Sequence, residues 1–159
     1  MRVRNYAAAD EAWATQLWRE NWGGTRVVTK GRLHSLPALP GLVAERDGEA
    51  VGVVSYLRTG GGCEIVSLAV ANVGSGIGTM LVEALEARLG AEAPLRLWLV
   101  TTNDNTRAFR FWQGRGYLLT AVHLHALEGS RQLKPEIPLT GADGIPIRDE
   151  LELAKELAA

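Results

Sequence analysis

The chain has 159 residues, 47% of them hydrophobic and 22% charged, with a net charge of −1 at neutral pH; this balance indicates one soluble globular domain over residues 1–159 and excludes a disordered or fibrous protein. A charge so close to zero argues against nucleic acid or an anionic membrane as a partner, and the single cysteine, Cys63, excludes an internal disulfide framework and a cysteine-based zinc site. Glycine is the unusual component, because its 18 residues are well above the ~7% of a typical protein.

The first 40 residues predict one helix and one connector. Apolar residues at helical spacing indicate a helix over residues 8–20, and Gly23-Gly24 ends it. Residues 25–40 show no clear period, and Pro37 and Pro40 predict a turn-rich connector there.

Three strands follow the connector. Asp47-Gly48 is a strong hairpin signal, and it lies between predicted strands over residues 42–46 and 50–57, the second of which is rich in β-branched side chains. The weak alternation of residues 63–70 is typical of a strand that is buried on both faces.

A glycine-containing segment then leads into alternating helices and strands. Spacing and capping residues predict a helix from Ile77 to Gly90, a strand over 95–100, a helix capped by Asp104 or Asn105 and ending near Gly114, and a strand over 117–127. This order of elements indicates an α+β fold, with a mixed, mostly antiparallel twisted sheet, a central βαβ unit and flanking helices.

Residues 1–127 form the predicted core, and residues 128–159 form a C-terminal arm. Three X-Pro pairs and two glycines predict extended chain with turns in the arm. Residues 149–157 suit a strand by one spacing of their leucines and a helix by another. Three roles of the arm stay open: a cover over the active site, a dimer contact, or a wrap along an edge of the sheet.

The loop Gly74-Ser75-Gly76-Ile77-Gly78 joins a predicted strand directly to a helix. Glycines let a ligand approach the backbone, and the first N–H groups of a helix attract a phosphate or pyrophosphate. A tight turn without any ligand explains the same residues equally well. The lysine of a P-loop is missing after Gly78, and Leu81 stands where a dinucleotide fingerprint needs a small residue.

Two motifs resemble those of the GNAT superfamily of N-acetyltransferases. Residues 63–70, with Gly76-Ile77-Gly78 and the helix that follows, are similar to its acyl-CoA-binding motif. Residues 105–117 match its later motif, Asn-x-x-Ala-x-x-aromatic-Tyr-x-x-x-Gly-Phe, in the right order and one strand away. The resemblance is strongest over residues 41–120, extends to residues 1–40, and implies the GNAT fold.

The resemblance implies acetyl-CoA as co-substrate, bound by the third strand, the glycine loop and the two helices. The implied cofactor-binding residues are Leu68, Ala69, Val70, Gly74, Ser75, Gly76, Ile77, Gly78, Thr79, Asn105, Arg107 and Trp112. The strand is expected to splay from its neighbour and hydrogen-bond the pantetheine arm, while the Val70 N–H polarises the thioester carbonyl. Competing interpretations make Asn105 a helix cap and place Arg107 on a solvated helix face.

Two positions depart from the family pattern. Val73 stands where the family has Arg or Gln, so phosphate binding would rely on backbone N–H groups. Trp112 stands where many members have the tyrosine that protonates the leaving thiolate, and an indole N–H is not an acid at neutral pH. Tyr117, at the phenylalanine position of the motif, is expected to pack.

The implied reaction is direct attack of a primary amine on the thioester, and it needs a base for the amine proton. Glu64 is the predicted catalytic base, because it lies between Cys63 and Ile65 on the strand that leads into the loop. Burial there should raise its pKa toward the working range. The competing interpretation places Glu64 on the solvent side or beside an arginine.

Trp22 and His34 are the predicted contacts of the acceptor, which is a small-molecule or peptide amine. No metal is expected, because His123 and His125 have no evident third ligand. The segment Met1–Tyr6 lacks the apolar stretch of a signal peptide, so a cytoplasmic protein is expected, and a homodimer is an open option. Two other functions stay open: a non-catalytic CoA-binding or sensing module of the same fold, and a nucleotide-binding protein that uses the glycine loop for other phosphates.

Overall fold

The computed structural model describes residues 1–158. The α-helices in this range are α1 (Glu11–Trp22), α2 (Ile77–Leu89), α3 (Thr106–Gly114) and α4 (Ala126–Leu133). The strands are β1 (Arg2–Asn5), β2 (Arg26–Thr29), β3 (Arg32–Ser35), β4 (Gly41–Arg46), β5 (Glu49–Thr59), β6 (Gly62–Val70), β7 (Leu95–Thr102), β8 (Leu118–His123) and β9 (Glu150–Leu157). Within residues 1–158, no helix is long and apolar enough to cross a membrane.

Seven strands form one sheet in the order β1-β4-β5-β6-β7-β9-β8, and β2 pairs with β3 in a separate hairpin. Every neighbouring pair in the large sheet is antiparallel except β6 and β7, which are parallel and joined through α2. The fold is therefore α+β with one βαβ unit in a mostly antiparallel sheet, as the order of elements predicted.

Helices cover both faces of the sheet. On one face, α2 and α3 pack over a core that includes Leu81, Leu85 and Trp112. On the other face, α1 packs through Leu17 and Trp18. Because apolar layers lie on both sides of β6, its side chains cannot alternate between core and solvent, which explains the weak alternation of residues 63–70.

Local turn chemistry was predicted well in the first half of the chain. Gly23 ends α1 in the left-handed region with φ of 71°. Asp47 and Gly48 also have positive φ, 53° and 81°, as the turn between β4 and β5 requires. The 25–40 connector contains a hairpin that its sequence did not reveal: β2 and β3 turn at Lys30-Gly31, where both φ angles are again positive.

The predicted strand over 117–127 is wrong beyond His123. The chain turns at His125, whose φ is 60°, and α4 begins at Ala126. Helix α4 also contradicts the expectation that everything after residue 127 is extended. Extended chain with turns is found between α4 and β9, over residues 134–149.

Residues 149–157 were ambiguous, and the structure makes them the strand β9. This strand pairs with both β7 and β8, so the end of the chain is an inner strand of the sheet. Leu151 and Leu153 face the α2 and α3 core, whereas the alternate residues Glu150 and Glu152 are also buried. Because side chains alternate between the two faces of a strand, the leucines lie on one face of β9 and the glutamates on the other. The acidic side chains can be buried because neighbouring elements supply hydrogen-bond donors to them.

Candidate active site

The central parallel strands separate along their length. The ladder between β6 and β7 covers Gly62–Glu64 and Arg96–Trp98, although both strands continue for several residues beyond it. At the closed end, a Cβ on Gly62 would lie 2.7 Å from the carbonyl oxygen of Arg96, so the close approach there requires glycine. The strands therefore open into a wedge, as the resemblance implied for residues 67–70.

A cavity of about 1000 Å³ occupies this wedge. Leu68 and Val70 line it from β6, and residues 99–102 line it from β7. Backbone N–H and C=O groups on the open side of β6 have no strand partner across the wedge, and buried groups of this kind need one. An extended molecule bound along β6 would supply it.

Most of the predicted cofactor residues line this one cavity: Leu68, Val70, Gly74, Ser75, Gly76, Ile77, Gly78, Thr79, Asn105, Arg107 and Trp112. Ala69 is the exception, because its side chain is 1% exposed and packs in the core beneath α1. The structure thus brings together residues from two distant motifs.

A β-bulge explains why Ala69 faces away from the cavity. The ladder between β5 and β6 skips Val66, which lies between the paired residues Ile65 and Ser67. Because of this extra residue, Ile65 and Leu68 both face the α2 core, whereas Val66 and Ala69 face α1. Strict alternation along residues 63–70 would have placed Ile65 and Leu68 on opposite faces.

Glycines shape the loop before α2. Gly74 and Gly76 have φ of 85° and 84°, a region that other residues rarely adopt, and Gly76 is the N-cap residue of the helix. The N–H groups of the first helical turn have no partners inside the helix, and they line the cavity wall at a positive helix end. This arrangement fits a phosphate or pyrophosphate.

Gly78 differs from Gly74 and Gly76, because its backbone conformation does not require glycine. A Cβ there would meet the Phe111 ring at 3.5 Å, which is an ordinary contact, and its φ is not positive. Neither packing nor backbone conformation therefore requires glycine at this position.

A glycine outside the motifs sets the position of α2. A Cβ on Gly52 of β5 would lie 2.7 Å from Cγ2 of Ile77 and 3.0 Å from Cδ1 of Leu81. The first turn of α2 therefore packs directly on the backbone of β5, and this contact fixes the helix end that faces the cavity.

The start of α3 forms a second side of the cavity. Asn105 caps the helix, since its Oδ1 accepts the N–H of Ala108 at 3.1 Å, and it lines the cavity as well. Arg107 is exposed on the first turn and also lines the cavity. Both interpretations of Asn105, as a cap and as a cavity residue, are therefore compatible.

Trp112, at the position of the motif tyrosine, is the centre of an aromatic cluster. It is 6% exposed and makes edge contacts with Phe111 and Tyr117, at centroid distances of 5.0 and 5.1 Å. Tyr117 is buried and donates its hydroxyl to Glu86 at 3.0 Å. Tyr117 therefore packs against Trp112, as expected, and its hydroxyl is hydrogen-bonded to Glu86.

Glu64 is buried on the α1 side of β6, at 3% exposure. Its Oε1 lies 3.8 Å from Nε2 of His34, and its Oε2 has no hydrogen-bond partner within residues 1–158. Burial raises the pKa of this carboxyl to about 7, although the Thr29 hydroxyl and the charge of Arg32 oppose the rise. In the described part of the chain, Glu64 is neither on the solvent side nor in an arginine ion pair.

His34 lies behind Glu64 rather than on the cavity wall. It is 3% exposed, and its Nε2 is 2.7 Å from Oγ1 of Thr29. Burial lowers the pKa of His34, as does the charge of Arg32, so the ring is neutral near pH 7. Of the two predicted acceptor contacts, Trp22 lines the cavity and His34 does not.

Of the predicted arm over 128–159, only residues 134–149 are extended chain with turns; this segment, called the arm from here on, closes one part of the cavity. Ile137 and Ile147 line it there, beside Trp22 at the end of α1. Lys134 fixes the arm in place, because its Nζ donates to the carbonyl oxygens of Trp22 and Arg26 at 2.8 and 2.7 Å. Residues 134–149 thus cover part of the cavity, whereas the end of the predicted 128–159 arm is the inner strand β9.

Comparison with known proteins identifies the family. Residues 6–117 match the acetyltransferase (GNAT) family. The chain belongs to this family. Two uncharacterized proteins of Bacillus subtilis (strain 168), YxbD and YdhI, are 38% and 37% identical to it over 141 and 142 residues, which cover 88% and 89% of this chain and 89% of each relative. A crystal structure of a GNAT family acetyltransferase from Elizabethkingia anophelis with acetyl-CoA bound has the same fold, with a TM-score of 0.70 and 16% identity over 98% of this chain and 97% of that one.

In this GNAT protein the family match ends at Tyr117, so β8, α4, the arm and β9 lie beyond it. These elements nevertheless complete the sheet and line part of the cavity. The part of the cavity that the arm closes is therefore built largely outside the residues that define the GNAT family.

Several polar residues of this cavity were not predicted from the sequence, and three of them matter for its chemistry. Thr29, Ser67 and Glu150 all line it and all are buried. Ser67 was visible as a hydroxyl in an apolar strand, but the bulge that orients it was not. Thr29 and Glu150 belong to elements, β2 and β9, whose existence or type the sequence left open.

Proposed function

We propose that this GNAT protein transfers an acetyl group from acetyl-CoA to a primary amine by direct attack on the thioester. One observation carries the proposal: a single cavity joins the N-terminus of α2, the open side of β6 and the wall formed by Thr29 beside Glu64. The cavity thus contains an anion site and the Thr29 hydroxyl that connects it to the base, and a direct transfer between two bound molecules requires such proximity. The acetyl-CoA bound in the Elizabethkingia anophelis structure, which shares this fold, supports the choice of donor.

The chain offers acetyl-CoA two sets of backbone groups. The N–H groups of Ile77, Gly78 and Thr79 hold the phosphates at the helix end. The open side of β6 at Leu68 and Val70 hydrogen-bonds the extended pantetheine arm. The Val70 N–H then stabilises the negative charge that develops on the thioester oxygen, a contribution of roughly 2.7–4 kcal/mol in other acyl-transfer sites.

Side-chain charge for the phosphates comes from α3. Val73, at the family's Arg or Gln position, is 67% exposed and lines the cavity, but its side chain has no hydrogen-bond donor. Arg107 lines the same cavity, where its guanidinium can bind a phosphate oxygen. We assign Arg107 the contact that Val73 cannot make.

Glu64 is the base in this proposal. An alkylammonium must lose a proton before its nitrogen can attack, and a carboxylate with a pKa of about 7 accepts one near neutral pH. Glu64 itself does not line the cavity, whereas Thr29 does, beside both Glu64 and His34. The Thr29 hydroxyl therefore takes the proton from the amine as it passes its own proton to Glu64.

The leaving thiolate needs no acid from the protein. Trp112 cannot supply a proton at neutral pH, and the Tyr117 hydroxyl is bound to Glu86. A thiol has a pKa of only ~8.5, so the thiolate leaves as the anion and takes its proton from water.

A non-catalytic CoA-binding or sensing module is the second candidate. The aromatic cluster around Trp112 favours it, because it replaces the acid of the later motif. The two functions share the CoA site and differ in whether an amine is acetylated.

Calorimetry with CoA, followed by thiol release from acetyl-CoA with a panel of primary amines, separates these functions. We expect wild type and the control Glu83→Gln, which removes an exposed carboxylate of α2, to bind CoA and release thiol. Glu64→Gln should bind CoA and lose most of the turnover. CoA binding without turnover on the whole panel would favour the module, and absence of CoA binding would overturn both functions.

A further inference from the structure

Glu150 is a buried carboxylate in the cavity wall that has no role in the proposed acetyl transfer. It is the first residue of β9 and is 2% exposed. It lines the main cavity and also a smaller one of about 300 Å³, between Lys30 and His123. Its two oxygens accept the backbone N–H of Lys30 at 3.2 and 3.4 Å.

The cationic side chains near Glu150 are bound to another carboxylate. Glu152, two residues along the same face of β9, pairs with Arg96 and His123 at 2.8 Å and with Lys30 at 3.1 Å. Within residues 1–158, Glu150 has no such ion pair. One backbone N–H is a poor substitute for water around a buried carboxylate, so a cation in the cavity would be strongly favoured there.

Two further buried polar atoms lack partners in the same region. The Ser67 hydroxyl is 4% exposed, lines the main cavity and makes no hydrogen bond within residues 1–158. Oε2 of Glu64, which does not line the cavity, is also unpartnered in the described chain, and the charge of Glu150 helps to raise the pKa of Glu64. An alkylammonium has three N–H donors, and the Glu150 carboxylate and the Ser67 hydroxyl, which both line the main cavity, offer acceptors to them.

The surrounding walls are mostly apolar, although Asn21 and Glu136 also line the cavity. Side chains from α1, β2, α4 and the arm line the cavity here: Trp22, Val27, Val28, Leu127, Ile137, Pro138 and Ile147. The Lys134 ammonium also lies in this wall, but its Nζ is already bound to two carbonyl oxygens. A substrate here would place its cationic end at Glu150 and an apolar body against these side chains.

We infer that the Glu150 carboxylate binds the ammonium group of the acceptor, and that the acceptor is a small primary amine attached to an apolar group. The inference rests on the proposed acetyl transfer and narrows its substrate class. Glu150 then has a binding role, while Glu64 receives the proton through Thr29. The cavity must also hold the pantetheine arm, which leaves room for a small molecule rather than a folded protein.

The test is calorimetric binding of n-hexylammonium to the CoA-loaded protein, with 4-ethylaniline as an amine that is neutral at neutral pH. Glu150→Gln keeps the shape of the side chain and removes its charge, and Glu150→Asp keeps the charge. Glu128→Gln, which removes a 77% exposed carboxylate of α4 outside the cavity, is the matched control. Thermal unfolding and CoA affinity of each variant report whether the fold is intact.

We expect Glu150→Gln to weaken hexylammonium binding by about 10–100-fold and to leave 4-ethylaniline and CoA binding unchanged. Glu150→Asp should retain part of the affinity, and Glu128→Gln all of it. Hexylammonium binding that is independent of Glu150, or equal weakening of both amines, would overturn the inference alone. Tighter binding of a polar amine such as glycinamide would overturn the apolar substrate class. Absence of CoA binding by the wild type would overturn the proposed function, and this inference with it.

Discussion

Nε2 of His34 lies 3.8 Å from Oε1 of Glu64, and the two side chains are 2% and 3% exposed. Burial raises the pKa of the carboxyl and lowers the pKa of the imidazole. Both shifts favour the neutral form of each side chain. Glu64 becomes a carboxylate only as the pH rises through its own pKa, and this sets when it can accept a proton.

The pH dependence of turnover should report this carboxyl. Because the base must be ionised, we predict that kcat/KM falls about tenfold per pH unit below a pKa of about 7. Arg32 and Lys30 lower this pKa and Glu150 raises it, whereas burial and the charge of Arg32 lower the pKa of the neighbouring His34. Initial rates of thiol release from acidic to neutral pH measure the profile.

The matched variants show which residue causes the inflection in the pH profile of kcat/KM. Glu64→Gln should show a flat profile over the same range, and Glu83→Gln should keep the wild-type inflection. An unchanged inflection in Glu64→Gln would assign the titration to another group.

The same pKa predicts a stability effect that does not depend on any substrate. The folded-state pKa of Glu64 is about 7, against 4.5 for an unperturbed glutamate. The folded state therefore holds a proton that the unfolded state has lost between these values, so stability falls as the pH rises through this window. A neutral glutamine at this position does not carry that penalty.

Chemical denaturation at a pH below 4.5 and at one above 7 measures this effect. The stability of Glu64→Gln relative to wild type should rise between the two by on the order of 3 kcal/mol. An equal difference at both pH values would mean that the carboxyl of Glu64 titrates as in the unfolded chain.

Gly52→Ala tests how the position of α2 controls CoA binding. The new Cβ would lie 2.7 Å from Ile77 and 3.0 Å from Leu81, so the first turn of the helix must shift. We predict a loss of about 1–3 kcal/mol in the free energy of unfolding and weaker CoA binding by calorimetry. Gly90→Ala, at the other end of the same helix and with no atom within 4 Å of its Cβ, should change neither. Wild-type CoA affinity in a folded Gly52→Ala protein would contradict the link.

Lys134→Met tests the arm as a wall of the acceptor site. Without the hydrogen bonds from Nζ to the carbonyls of Trp22 and Arg26, the arm should lose its attachment to the end of α1. The predicted result is a KM for the amine raised about tenfold with an unchanged Kd for CoA. Arg19→Met, at an exposed position on α1, is the control. A change in CoA affinity with an unchanged amine KM would contradict this role.

The features that were predicted correctly depend on near neighbours in the chain. Asp47-Gly48 needs only its own positive φ angles to turn a hairpin. Gly76 likewise marks the start of α2 because only the local backbone demands it. The same holds for Asn105, whose cap involves a residue three positions away.

Features that depend on distant partners could not be predicted. The strand β9 is inserted between β7 and β8, and its buried Glu152 is stable because Arg96 and His123 come from those two strands. Glu150 enters the cavity only through that insertion. The bulge at Val66, which orients Ser67, arises from the register against β5, and no single-strand pattern carries that information.

Thiol release with n-hexylamine by wild type and by Glu64→Gln, both saturated with acetyl-CoA at a pH above 7, tests the central claim most directly. The account predicts that wild type acetylates the amine, and that Glu64→Gln binds CoA with the same Kd while its kcat falls by about 10²–10⁴-fold. Equal kcat values for the two proteins would contradict Glu64 as the base, and a wild type that binds no CoA would contradict the acetyl transfer itself.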